Sequence, residues 1–178
     1  MRRRRRSRAS GAVSGGAEGD GDEVSYNGWL SLHILGVVLF LGNIIVTAVW
    51  KLLADRTKNP PVVAYGQRLV TITDIAFTAT GAVLIILSGQ VMAREFGGVF
   101  AGPSWLLWGW SLFIASGVIW LAVLVPIEVM QERLARGFRN AGVIPDRYWR
   151  LSRLWAVFGA IATLLPLLNL YLMVFKPD

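Results

Sequence analysis

The sequence contains no cysteine and only one histidine, His33. The absence of cysteine excludes disulfides, iron–sulfur clusters, thiolate metal sites and cysteine nucleophiles. A single histidine excludes a zinc site built from three histidines and the H-E-x-x-H pattern of metalloproteases. The sequence also lacks a Gly-rich phosphate loop, paired-carboxylate spacing and a nucleophile motif. We therefore assign no catalytic residue.

Charged residues are scarce as well, at 16% of a chain that is 54% hydrophobic. Soluble domains carry about 25% charged residues, so the composition favours a membrane protein. The net charge of +7 is also found in nucleic-acid-binding proteins. Here, however, the basic residues lie at the N-terminus and between apolar runs, which is typical of membrane proteins. We expect no nucleic-acid partner.

Four long apolar segments account for most of the chain. A helix needs about 20 apolar residues to cross the hydrocarbon core of a bilayer, and each segment reaches that length. The sequence therefore predicts an all-α polytopic membrane protein, a bundle of four transmembrane helices in contact with the lipid bilayer. The predicted spans are about 29–53, 69–92, 105–130 and 154–175.

The N-terminal residues 1–28 differ from the rest of the chain. They are rich in arginine, then in Gly, Ser and acidic residues, and this composition cannot bury a core. We predict a disordered tail over 1–28 and a four-helix transmembrane domain over 29–178. A mis-assigned start codon, with the protein beginning near Tyr26, is an alternative explanation of this tail.

The basic residues between the spans predict the orientation. The second connection carries only Arg94, whereas the first and third connections are strongly basic. Basic connections stay on the cytoplasmic side, so we expect both termini outside the inner (cytoplasmic) membrane of a bacterium. The arginine-rich N-terminus opposes this orientation, but it lies about 20 residues from the first span, at the edge of the rule's range. The basic residues of the first and third connections and their flanks are Lys51, Arg56, Lys58, Arg68, Arg133, Arg136, Arg139, Arg147, Arg150 and Arg153.

Before the fourth span, Arg147, Tyr148, Trp149, Arg150 and Arg153 predict a basic and aromatic collar that faces the lipid. Such a collar anchors and orients a helix at the membrane surface. A specific site for anionic lipid is the alternative.

Polar side chains inside the spans are the candidate functional residues, because a charge near the centre of a bilayer costs a few kcal/mol. Small residues such as Gly36 and Gly81 recur with them at helical spacing, which favours close helix packing. A polar track through the bundle is the alternative. The intramembrane polar candidates are His33, Asn43, Asp74, Glu128 and Asn169.

For His33, the sequence favours a neutral histidine that bonds to a neighbouring helix. The alternative is a ligand of haem iron or copper, since imidazole suits both metals. Met92 and Met173 lie at the same predicted depth, and a His/Met pair is a known axial ligand set. The cofactor would then be haem b or copper, bound by His33, Met92 and Met173.

For Asp74, the sequence favours an ion pair with Arg153 or Lys51. A carboxylate that relays protons is the alternative. His33 and Asp74 are expected to lie roughly 20 Å apart, since a helix rises 1.5 Å per residue. We therefore do not expect them to form one catalytic pair.

The chain resembles a bacterial family of small predicted integral membrane proteins, known as domain of unknown function 2269. The resemblance covers about residues 26–177. It implies a membrane location and this fold, and it does not imply any particular activity. It is carried by Leu32-His33-Ile34-Leu35-Gly36, Leu41-Gly42, Asp74, Gly81, Trp120, Pro126-Ile127 and Tyr171-Leu172-Met173-Val174-Phe175-Lys176-Pro177.

The first span is more distantly similar to that of two other membrane families. One is the bacterial haem-binding protoporphyrinogen oxidase, and the other is the copper-resistance D proteins. In the oxidase, a histidine early in the first span and a lysine in the third are thought to matter. The chain has His33 at the first position and no lysine in its predicted third span.

Taken together, the sequence predicts an integral membrane protein whose molecular role is open. A non-catalytic membrane subunit or accessory protein is the favoured interpretation, with other subunits or a second copy as partners. One alternative is a haem- or copper-binding redox protein that uses His33. Another is a small transporter or proton-conducting bundle that uses Asp74.

Overall fold

A computed structural model of the chain describes residues 17–140 and 142–177. These residues form helices and short connections, without a strand, which confirms the predicted all-α fold. The helices are α1 (Ala17–Thr57), α2 (Pro60–Thr73), α3 (Thr80–Ala93), α4 (Ser104–Ile119), α5 (Val125–Phe138) and α6 (Asp146–Phe175).

In the described part of the chain, these elements combine into four continuous helices that are long and apolar enough to cross a membrane. The first is α1 and the fourth is α6. The second joins α2 to α3 through a π-helical stretch, Asp74–Ala79. The third joins α4 to α5 through another π-helical stretch, Trp120–Leu124. The four predicted spans are thus confirmed as helices.

The helices extend beyond the predicted spans. The third span was predicted to end near residue 130 with its helix continuing past the membrane to Arg139, and α5 does continue to Phe138. At the other end of the chain, α1 begins at Ala17, inside the predicted tail of residues 1–28, of which 1–16 lie outside the described residues. The predicted start of the first span, near residue 29, followed from hydropathy. Extending an existing helix by one residue is much easier than nucleating a new one, so a helix continues into polar sequence.

The bundle has two ends with different connections. The basic end carries the first connection, Lys58–Asn59, and the third connection, residues 139–145. The C-terminal end carries the end of α6 and the second connection, in which Gly97 and Gly98 adopt φ values of 85° and 93°. Glycine adopts such angles without the steric penalty that other residues meet.

Close packing pairs α1 with α3 and α4 with α6. Gly36 and Gly81 lie at the crossing of α1 and α3. A Cβ atom on Gly81 would lie 2.7 Å from the backbone nitrogen of Phe40 and 2.8 Å from the carbonyl oxygen of Gly36. Neither position has room for a side chain, which confirms that small residues permit this close approach.

Large apolar side chains cover the outside of the bundle. Val38, Val118 and Leu164 are each about 60% exposed, and many other valines, leucines and isoleucines are similarly exposed. Soluble monomers rarely expose apolar patches of this extent. This surface therefore fits the hydrocarbon of a bilayer.

The interior consists of two halves. The half near the basic end buries charged and polar side chains, whereas the half near the C-terminal end encloses an apolar cavity. A buried apolar layer of Phe40, Ile85 and Phe113 separates the two halves. The sequence did not predict this division.

Candidate functional site

Asp74 lies at the start of the π-helical stretch between α2 and α3 and is only 7% exposed. Asn43 of α1 donates to its Oδ1 at 2.8 Å, and Thr78 donates to the same oxygen at 3.1 Å. The amide of Asn43 also donates to the Thr78 hydroxyl at 2.8 Å. The Asp74 carboxyl is thus held by neutral donors.

Trp120 supplies a further donor from the third span. Its indole nitrogen lies 3.2 Å from Asp74 Oδ2. Trp120 begins the second π-helical stretch, so the two π-helical stretches meet at this hydrogen bond. Single π-helical turns inside α-helices are frequently found at functional sites. The two irregular stretches therefore mark Asp74 as a candidate functional residue.

Glu128 of α5 lies beside Asp74 and is only 4% exposed. Trp155 of α6 donates to its Oε1 at 2.8 Å. The side chains of Glu128 and Asp74 line the same cavity. Two neighbouring carboxyl groups can hydrogen-bond to each other directly only when one of them carries a proton, because a carboxylate is an acceptor alone.

A buried lysine lies on the basic-end side of the carboxyl pair. Lys51 is 1% exposed, and its Nζ donates to Gln67 at 2.7 Å and to Tyr148 at 3.0 Å. Its ion-pair partner is Asp55, one turn along α1 at 3.6 Å. Asp55 also accepts hydrogen bonds from Tyr148 and Ser152. This polar cluster extends from the carboxyl pair towards the basic end.

Two glutamines add further buried polar groups to this half of the bundle. Gln67 and Gln131 are fully buried. Within the described part of the chain, the Gln67 amide nitrogen and both polar atoms of the Gln131 amide have no hydrogen-bond partner. Buried amides are normally satisfied by protein or ordered water, so this half of the bundle has spare donors and acceptors, and the Gln67 donor lies beside Lys51.

These contacts correct the prediction for Asp74. The sequence favoured an ion pair with Arg153 or Lys51. Arg153 is exposed, and Lys51 pairs with Asp55. Asp74 instead bonds to Asn43, a residue predicted separately as intramembrane and polar. The prediction was wrong because a depth estimate along one helix does not tell which neighbouring face carries the complementary group.

Two further residues were placed wrongly at the membrane surface. Lys51 was counted with the basic first connection, and Tyr148 with the lipid-facing collar, but both are buried. A signal for Lys51 was present, because Asn43, Thr47, Lys51 and Asp55 follow one another at intervals of four residues. Residues four apart share a helix face. For Tyr148, Gln67 and Gln131, the sequence offers no comparable signal.

The predicted collar arginines Arg147, Arg150 and Arg153 are exposed near the start of α6. Their spacing of three residues places them on neighbouring turns. The structure therefore leaves all three side chains accessible at the basic end.

The other predicted residues come together at the C-terminal end. His33, Met92, Asn169 and Met173 line one cavity of about 410 Å³, which is otherwise mostly apolar. The Asn169 Oδ1 atom is buried and has no hydrogen-bond partner among the described residues. The sequence predicted a shared depth for the histidine and the two methionines, and the fold gives them a shared cavity.

The hydrogen bonds of His33 indicate which of its ring nitrogens is free. Its Nδ1 lies 3.0 Å from the Ser88 hydroxyl, which itself donates to the Leu84 carbonyl. Since that hydroxyl proton is engaged, Nδ1 is the donor in this arrangement. The Nε2 atom of His33 then carries a lone pair. This bond to a neighbouring helix is the one that the packing interpretation predicted.

His33 and Asp74 belong to different halves of the bundle, on opposite sides of the Phe40, Ile85 and Phe113 layer. They do not form one site. Among the described residues, no group of three or more His, Cys, Asp or Glu side chains could hold a metal ion.

The comparisons with known proteins support the membrane assignment. Neither the curated proteins nor the solved structures gave a match. A family model described as "Predicted integral membrane protein (DUF2269)" matches residues 29–177, which is most of the chain and includes both candidate sites. The protein therefore belongs to this family of predicted integral membrane proteins.

Proposed function

We propose that this protein is a proton-binding membrane carrier. The Asp74–Glu128 pair takes up and releases one proton inside the bundle. The observation that carries the proposal is the burial of these two carboxyl groups, 7% and 4% exposed, in the lining of one cavity. An ionisable residue inside a membrane span is expensive, and this pair places two of them in contact.

The charges around the pair support proton binding. Within the described ranges, neither Asp74 nor Glu128 forms an ion pair, and Lys51, the nearby buried cation, pairs with Asp55. Two adjacent carboxylates without a partner cation repel each other strongly in a medium of low dielectric constant. A shared proton removes this repulsion and allows one carboxyl group to donate to the other.

The residues around the carboxyl pair favour exchange of its proton with the basic end of the bundle. In that direction the polar cluster continues through Lys51, Tyr148, Asp55 and Ser152. The Asp55 side chain is 11% exposed, so the cluster reaches the surface there. Towards the C-terminal end, the buried apolar layer separates the pair from the cavity. We therefore expect the pair to exchange its proton with the basic end of the bundle.

Infrared spectroscopy of the full chain in lipid nanodiscs tests this function. A protonated carboxyl has a carbonyl stretch that a carboxylate lacks, and the band shifts when solvent deuterium replaces the proton. We expect wild-type protein to show such a band, to lose it as pH rises, and to shift it in deuterium oxide. Asp74→Asn and Glu128→Gln should each alter or abolish the band.

Glu132→Gln is the matched control. Glu132 lies one turn beyond Glu128 on α5 and pairs with the exposed Arg136 at 3.1 Å. Its substitution should leave the band unchanged. A wild-type spectrum without a titrating carboxyl band, or a band that survives in both pair variants, would refute the proposed function.

We also propose an orientation, with the basic end on the cytoplasmic side of a bacterial inner membrane and both termini outside. The exposed Arg147, Arg150 and Arg153 at that end support it. A reporter fused after Gly98 should read as external, and one fused after Gly142 as cytoplasmic. The opposite pattern would reverse the side from which the carboxyl pair takes its proton.

The cavity at the C-terminal end favours a second candidate function, a haem- or copper-binding redox protein. His33, Met92 and Met173 line this cavity, and the free Nε2 atom of His33 suits a metal. Such ligands fit haem iron or copper(I), which would supply one-electron chemistry. Ser88 would orient the imidazole through Nδ1.

An absorption spectrum and metal analysis of the purified protein test this second candidate. A Soret band or bound copper that is lost in His33→Ala would support it. The absence of both from protein expressed with haem and copper supplied would contradict it. The interpretation as a non-catalytic accessory subunit stays a prediction.

A further inference from the structure

A second cavity, of about 500 Å³, lies between α1 and α6 and ends at the carboxyl pair. Its rim carries Ile45 and Val49 of α1 and Leu164 of α6, which are between 50% and 58% exposed. Asp74 and Glu128 line its floor. Because the rim side chains belong to the lipid-facing surface, the crevice opens towards hydrocarbon. A ligand would enter it from within the membrane.

The hydrogen bonds of the lining leave the crevice with acceptors and no spare donor. Its three hydroxyl groups, on Thr47, Ser116 and Thr163, each donate to a backbone carbonyl. The indole nitrogens of Trp120 and Trp155 donate to Asp74 and Glu128. Among the described residues of this lining, only the two carboxyl groups can carry a charge. Such a lining attracts a cation and repels an anion.

The nearby Lys51 does not cancel the preference of the crevice for a cation. Lys51 approaches the crevice through Trp155, whose ring centre lies 5.4 Å from its Nζ. Its charge is already compensated by Asp55 at 3.6 Å. The carboxyl pair thus carries the uncompensated negative charge of the crevice, and this charge increases by one when its proton leaves.

Size and chemistry together define the ligand. Drug-sized ligands occupy pockets of about 300–1,000 Å³, so the crevice holds one such molecule. Phe40, Trp120 and Trp155 add aromatic faces, which attract organic cations. Entry from hydrocarbon further requires that the molecule be lipophilic.

We propose that the crevice between α1 and α6 binds a lipophilic organic cation in exchange for the proton held between Asp74 and Glu128. The inference rests on the proposed proton-binding function. In the exchange, one cation enters, one proton leaves the carboxyl pair for water, and the charge within the site is unchanged. No covalent bond other than O–H is broken.

Binding of tetraphenylphosphonium to the detergent-purified full chain tests the proposal. We expect saturable binding by equilibrium dialysis, with about one proton released per bound cation in weakly buffered solution. Tetraphenylborate, with the same shape and the opposite charge, should not bind saturably. Asp74→Asn and Glu128→Gln should each weaken cation binding at least tenfold, whereas Glu132→Gln should retain it.

A steric variant tests the crevice without altering the carboxyl groups. Gly159 of α6 lines the crevice, and a Cβ atom there would meet no other atom within 4 Å. Gly159→Phe should therefore fold, fill the crevice and reduce cation binding at least tenfold. Its infrared carboxyl band should remain. Undiminished cation binding in Gly159→Phe would overturn the proposed site.

The proton-binding proposal and the cation-binding proposal can be refuted independently. If the infrared band titrates as expected but tetraphenylphosphonium does not bind, or binds no better than tetraphenylborate, the cation site is refuted and proton binding stands. If the carboxyl band is absent as well, both proposals fall. Cation binding that is unaffected by both carboxyl variants would show partition into the detergent micelle and would refute the site.

Discussion

The two halves of this bundle handle polar groups in opposite ways. In the half near the basic end, Lys51, Asp74 and Glu128 are buried, and each has at least one side-chain partner. In the half near the C-terminal end, His33 and Asn169 border a largely apolar cavity, where His33 bonds to Ser88 and the Asn169 carbonyl oxygen lacks a partner among the described residues. One fold therefore combines a cluster of buried polar groups with a cavity that has few polar side chains.

This difference shows what the fold requires of each half. A buried charge is tolerated only when partners offset its desolvation, so removing one partner is more damaging than removing both. An apolar cavity in a membrane protein needs no such partners, because its surroundings are equally apolar. Substitutions of similar size should therefore have larger effects near the basic end.

The largest effect is expected when the partner of Lys51 is removed. Asp55→Leu leaves a buried ammonium group without its carboxylate and should cost about 3–5 kcal/mol of stability. Lys51→Met should cost less, because Asp55 keeps its bonds from Tyr148 and Ser152 and is 11% exposed. Unfolding by denaturing detergent measures both values.

The double variant Lys51→Met/Asp55→Leu completes this cycle. It should be more stable than Asp55→Leu alone, because it leaves no uncompensated charge. Strictly additive losses would contradict the proposed ion pair and with it the main contrast between the halves.

The second effect compares two asparagines. Asn43 donates to Asp74 and Thr78 at 2.8 Å each, so Asn43→Leu should lose about 2–3 kcal/mol. Asn169→Leu, at a carbonyl oxygen without a partner among the described residues, should change stability by less than about 1 kcal/mol. Melting temperatures of the two variants give the comparison. Equal losses would show that the cavity half depends on its polar groups as much as the other half.

A third, smaller effect tests the contact of α1 with α3. A Cβ atom on Gly36 would lie 2.9 Å from the Leu84 Cβ and 3.0 Å from the Gly81 carbonyl oxygen. Gly36→Ala should therefore cost about 1–2 kcal/mol through forced separation of the helices. Gly42→Ala on the same helix is the control, since its Cβ would meet nothing within 4 Å. A control as unstable as Gly36→Ala would point to backbone effects instead of packing.

The smallest effect is expected at the exposed arginines. Arg147→Gln, Arg150→Gln and Arg153→Gln should each change stability by less than about 0.5 kcal/mol, because exposed charges contribute little. Their triple variant should instead weaken binding to vesicles that contain anionic lipid. A large loss of melting temperature for any single variant would place that arginine in the polar cluster.

Hydropathy and helical spacing were enough to predict the four helices and most of the polar residues within them. Asn43, Asp74 and Glu128 were identified because polar residues stand out in apolar segments, and Gly36 and Gly81 because small residues recur at helical spacing. The depth argument also placed His33, Met92 and Met173 at one level. Depth is predictable because it depends only on position along a helix.

The contacts between helices were not predictable in the same way. The Asp74–Trp120 bond depends on two π-helical stretches. Each stretch has an extra residue in its turn, so the residues that follow it face a different direction around the helix axis. Lys51 was counted with the basic first connection because it lies near the end of the first predicted span. Its burial depends on Tyr148 and Gln67, which come from two other helices. Such pairings arise from three-dimensional packing and leave no periodic pattern.

Solid-state NMR of the chain in lipid, with carbon-13 in its aspartate and glutamate carboxyl groups, tests the central claim most directly. Asn and Gln variants assign the Asp74 and Glu128 signals. We predict a dipolar cross peak between the two carboxyl carbons and the chemical shift of a protonated acid for one of them at neutral pH. Two ionised carboxylates without a cross peak would contradict the account.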